Sequence, residues 1–162
     1  MGPQVNDMLY QVVLFLHSWL RWGVLLLGAL SLGRAVHGWA RGRDWTQADR
    51  RMQQLFVALF DSQVLLGLTL YFVLSPLTPR SLDGFRVAMS NSVLRFYGIE
   101  HVTAMVPALI IAHWASISSR RAQDSTTKHR RWVVGLLIAL LFIAVGIPWP
   151  ALPYGRPLVR GF

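Results

Sequence analysis

A chain of 162 residues that is 54% hydrophobic and 14% charged, with a mean hydropathy of +0.42, has the composition of an integral membrane protein rather than of a water-soluble domain. It contains no cysteine, which excludes disulfides, thiolate metal sites, iron–sulfur clusters and thiol redox relays. A net charge of +9 would suggest nucleic acid in a soluble protein, but the basic residues sit between apolar runs, so the partner they imply is the lipid bilayer and not nucleic acid.

In chain order the apolar runs are 10–33, 53–75, 93–116 and 132–150, each long enough for the ~20 residues a helix needs to cross the hydrocarbon. The stretch before the first run, MGPQVNDML, has no Lys or Arg and leads to no A-x-A-like site, so the first run is expected to stay as a span. Short polar connections predict antiparallel neighbours: a single all-α domain over 1–162, an up-down-up-down four-helix membrane bundle. Arg34, Arg41, Arg43, Arg50 and Arg51 in the first connection share a side with Arg120, Arg121, Lys128, Arg130 and Arg131 in the third. Only Arg80, Arg86, Arg156 and Arg160 lie opposite, so the positive-inside bias puts both chain ends on the non-cytoplasmic side. The three connections are read as loops, the basic first and third about 15 residues long, and Pro107 predicts a kink in the third span.

Depth then sorts the polar groups inside the spans. At ~1.5 Å per residue, His17 lies about 10 Å and Arg21 about 16 Å below the outer start of the first helix. Glu100 and His101 lie roughly 10 to 12 Å below the start of the third, with Arg95 near the surface. The first and third helices are diagonal in such a bundle, so His17 and His101 should face each other at one level. Two axial nitrogens across a bundle core suit a haem, with Arg95 at the rim for a propionate or simply snorkelling to the interface. Arg21 and Asp61 fall at similar depth and are expected to pair, because an intramembrane charge costs on the order of 3 kcal/mol. Asp61 and Gln63 are 200° apart on their helix and cannot face one partner. Glu100 has three readings: acceptor for the N–H of His17, proton carrier, or protonated carboxyl bonded between helices. His37 and His113 raise a second, inner haem as one reading and an interfacial or solvated role as the favoured one, and His129, between Lys128 and Arg130, is read as loop.

HSWLRW in the first span, DSQVLLGLTLYF in the second, SVLRFYGIEH followed by Met105 in the third and IPWP after the fourth resemble a family of small bacterial four-helix membrane proteins described as cytochrome b-like. The resemblance covers all four spans. It implies one haem b in the outer half of the inner membrane and a role in electron transport. His17 and His101 would be the iron ligands, accompanied by Arg21, Gln63, Arg95 and Glu100. Asp61 departs from the pattern, where relatives often carry His. A quinone or quinol and other redox subunits are the partners implied, and a homodimer would be expected if the chain resembles half of a haem A synthase-type bundle, the alternative enzyme reading. A haem-free conduit or assembly factor with a polar seam is the third reading. No catalytic nucleophile is evident.

Overall fold

The computed structural model describes residues 3–79 and 82–159, with side chains from residue 7 on. The described residues form helices and no strand. Four helical segments are long and apolar enough to cross a membrane: Asp7–Ala40, Gln47–Leu74, Ser92–Arg121 and Ser125–Gly146.

Helix α1 (Pro3–Ala40) ends where Gly42 takes φ +59 and the Arg43 N–H donates to the Gly38 carbonyl at 2.9 Å; that left-handed step favours glycine. Helix α2 (Gln47–Thr69) begins in a capping box, Thr46 accepting from the Asp49 N–H while Asp49 accepts from the Thr46 N–H. Asp49 also ties down Arg34 at 2.6 Å and Arg43 at 3.5 Å. A π-helical turn, Leu70–Leu74, finishes the second span. A short helix, α3 (Leu82–Ser90), follows and replaces the expected loop. Its exposed Leu82, Phe85, Val87 and Met89 give it an apolar surface. The third span is composite: α4 (Ser92–Arg95), a π-helical turn Phe96–Glu100, and α5 (His101–Arg121). Pro107 lies inside α5. Helix α6 (Ser125–Gly146) starts at the N-cap Asp124.

The basic connections are therefore shorter than the sequence suggested. Residues 41–46 and 122–124 are all that separates the helices, because the caps draw the arginines into helix ends. The two connections meet: the Trp45 N–H donates to Ser125 Oγ at 3.0 Å, and the Trp45 ring lies 4.8 Å from that of His129. His129 is thus buried rather than looped out. It presses on Gly38, where any Cβ would fall 2.2 Å from its ring.

Helix α1 packs on α2 and α6, and α5 packs on α6 and, less extensively, on α2. The α5–α6 contact is made by small residues. Ala104, Ala108, Ala112 and Ala115 are buried on α5 opposite Gly135, Ala139 and Gly146, the pattern that lets membrane helices approach closely by van der Waals packing. The half of the bundle next to the connections 41–46 and 122–124, here termed the inner half, is closed by aromatics: Phe56 packs edge-on against Trp132 at 6.0 Å, and the Trp132 N–H donates to Ser31 Oγ at 2.9 Å.

Candidate functional site

Above that aromatic layer the molecule is hollow. A cavity of about 500 Å³, within the size range of cofactor pockets, is lined by α1, α2, α5, the end of α6 and the chain after it. Both π-helical turns border it, through Leu70 and Tyr71 on one and Tyr97 on the other, and Tyr71 Oη joins them by donating to the Gly98 carbonyl at 2.8 Å. π-turns are rare and concentrate at functional sites.

His17 and His101 line this cavity from opposite helices, with ring centroids 6.2 Å apart and planes at 76°. Each ring is aimed by a main-chain carbonyl. His17 Nδ1 donates to Gln63 O at 3.2 Å and His101 Nδ1 to Gly146 O at 2.7 Å. In the neutral ring this fixes the tautomer and leaves the lone pair on Nε2. Gln63 Nε2 donates to the His17 carbonyl at 2.9 Å and reaches His17 Nε2 at 3.4 Å, while its Oε1 is buried with no partner. Glycines make room for both rings. A Cβ on Gly67 would stand 3.1 Å from His17 Cε1, and one on Gly146 would meet Met105, Ala104 and the His101 ring.

The charge of the lining is one-sided. Arg21 and Arg156 face the cavity, and among the described residues no Asp or Glu does. Arg21 Nη2 donates to the Leu158 carbonyl at 2.9 Å, beside Trp22 Nε1 on the same oxygen, and Arg21 Nε is buried without a partner. Arg156 donates to Tyr97 Oη at 3.1 Å and lies over its ring. It is brought there by the segment 147–159, whose Tyr154 stacks on Phe96 at 3.8 Å and accepts from Tyr97 Oη through its carbonyl.

Three expected pairings are replaced. Glu100 does not reach His17; it accepts from Arg95 Nε at 2.6 Å, and neither residue lines the cavity. A turn that closes i to i+5 brings residues five apart together, so the Phe96–Glu100 turn accounts for that pair. Arg95 does not line the cavity, whereas Arg156 does. Asp61 bonds His113 Nε2 at 2.8 Å instead of Arg21, which makes His113 an interhelical partner rather than a solvated residue. His37 is exposed in the last turn of α1, as read.

No family model, curated protein or solved structure matches the chain. Among the described residues no group of three or more His, Asp or Glu could hold a metal ion, so any bound iron would rely on two imidazoles and a ligand of its own.

Two metal–imidazole bonds of about 2 Å, with about 1.1 Å from each Nε2 to its ring centre, ask for centroids roughly 6 Å apart. The observed 6.2 Å meets that demand. Arg21 and Arg156, with no acid among the described lining residues, and a lining otherwise rich in aliphatic side chains, suit a flat apolar molecule that carries carboxylates.

Proposed function

We propose that the protein is a membrane cytochrome of b type that passes electrons within the bacterial inner membrane, its four spans forming an antiparallel up-down-up-down bundle with both chain ends on the non-cytoplasmic side. The observation that carries this reading is the His17–His101 pair, 6.2 Å apart with both Nδ1 atoms tied to carbonyls. His17 and His101 would hold haem b by Nε2, and Arg21 and Arg156 would neutralise its propionates. The group supplies a one-electron iron couple when bound.

The chain's own residues do the rest. The Gln63 and Gly146 carbonyls orient the two rings and fix their tautomers. Gly67 and Gly146 keep the space beside the rings free, and the 147–159 segment covers the outer side and contributes Arg156. A membrane quinol is the electron donor this reading implies.

The test is optical. Detergent-solubilised protein should give a b-type reduced-minus-oxidised spectrum, lost in His17→Ala and in His101→Ala. A colourless wild type, or two variants that keep the band, would sink the reading.

A further inference from the structure

A second polar constellation lies on the far side of α2. We propose that Asp61 and His113 form a binding site for the ring of a quinone or quinol arriving sideways from the bilayer; this rests on the redox reading above.

Asp61 lies in the span Gln47–Leu74 about 21 Å from its inner end and about 20 Å from its outer end, at the middle of the bilayer. The imidazole of His113 meets it at 2.8 Å, yet the two side chains remain 41% and 45% exposed. Leu65, one helical turn from Asp61, and Ile110 and Trp114, near His113 in the chain, are exposed too, so the surface about the pair is apolar and in a membrane meets lipid and not water. An acid and an imidazole left half-uncovered in hydrocarbon are costly even when they bond each other. The site therefore gains from an occupant that brings its own hydrogen-bonding groups.

Depth and chemistry narrow the occupant. Phospholipid polar groups lie about 15 Å away, at the edge of a ~30 Å hydrocarbon core. What reaches mid-bilayer is a hydrocarbon-soluble molecule with a polar ring. Neither Asp61 nor His113 makes a second side-chain hydrogen bond among the described residues. With His113 Nε2 bonded to Asp61 Oδ1, only an Nδ1–H can donate to a quinone carbonyl, and Asp61 Oδ2 can accept from a quinol hydroxyl. The position is also economical. Gln63, which bonds the His17 backbone, is 200° around α2 from Asp61, so the two sites sit on opposite sides of one helix, about 10 Å across.

The experiment measures saturable quenching of tryptophan fluorescence by decylubiquinone, in the full chain, in Asp61→Leu and His113→Leu, and in the His17→Ala/His101→Ala double variant. We expect saturable binding in the wild type and the double variant, weakened about tenfold in each pair variant, the loss of roughly one hydrogen bond's free energy. Where a pair variant does not fold, Ile110→Trp serves: it fills the exposed face beside the pair and should weaken binding to a similar degree. Reduction of the protein's b-type band by decylubiquinol should slow in step, while reduction by dithionite should not.

Binding that is unchanged in these variants overturns the site. So does a pair variant that alters the oligomeric state while quinone binding stays intact, which would make the face a protein interface. A missing b-type band with pair-dependent quinone binding would remove the cytochrome reading and leave this site standing; a normal band with pair-independent binding would do the reverse.

Discussion

The two halves of the molecule are built on opposite rules. The inner half is filled: Phe56, Phe60, Trp132 and Leu136 are fully buried, helices touch through alanine and glycine, and connections of a few residues are held by side-chain caps. The outer half is hollow, with polar side chains facing inward, two π-helical turns and a returning chain segment in place of a fourth packed wall. Tight van der Waals contact is the main cohesive force between membrane helices, so the inner half carries the fold and leaves the outer half free to keep a cavity open.

That contrast breaks first at Gly135. An added Cβ there would stand 2.2 Å from Ala115 Cβ and 3.3 Å from its Cα, so α5 and α6 must move apart as backbones. Overpacking of a filled core costs about 1–3 kcal/mol and sometimes more, and contact with backbone leaves no side chain to yield. Gly135→Leu should abolish a monodisperse peak in size-exclusion chromatography, or lower the melting temperature more than any cavity substitution does. A variant that purifies and melts like wild type would show that the inner half is not the frame.

Gly67 offers the matching change in the outer half. Its missing Cβ leaves 3.1 Å to His17 Cε1, a gap that a small shift of one ring relieves. Gly67→Val should fold with little change in melting, because the wall it touches already borders empty space. It should nevertheless lose most of the b-type absorbance, since the ring that must move is the one held by Gln63 O. Retained colour would mean that the cavity has more play around His17 than its distances indicate.

The sequence discloses these halves unequally, and the reason is physical. Apolar runs separated by arginines announce four membrane helices, and a constant rise per residue is enough to bring His17 and His101 to one level. Helix ends were less legible. Thr46 with Asp49, and Asp124 alone, cap helices that extend a turn or more beyond the apolar runs, and hydropathy is blind to a cap. Pairings failed where regular geometry fails: a π-helical turn redirects Glu100 to Arg95, and Arg156 reaches the cavity along an irregular segment that no periodicity describes. His129 read as loop because its neighbours are basic, although Gly38 opposite it makes the space that buries it. Glycines facing histidines were the one signal available for Gly67, Gly146 and Gly38, and it becomes readable only once helix partners are known.

The smallest effect is expected at the start of α6, where Asp124 is the N-cap. Asp124 accepts from the Thr127 N–H at 2.7 Å, and this backbone hydrogen bond, with the bond to the Thr127 side chain, holds its carboxyl below the usual Asp range. A group whose folded-state pKa is depressed contributes stability that is present above its unfolded value, about 4, and is lost as pH falls through the folded value. Asp124→Ala should therefore lower the melting temperature slightly at neutral pH, by less than either glycine substitution changes its own readout. The difference from wild type should shrink as the pH is taken below about 4, because protonation then removes from the wild type the same acceptor that the substitution removes. A gap that stays constant over that range would mean that Asp124 acts on the inner connection by packing, not as a charged cap.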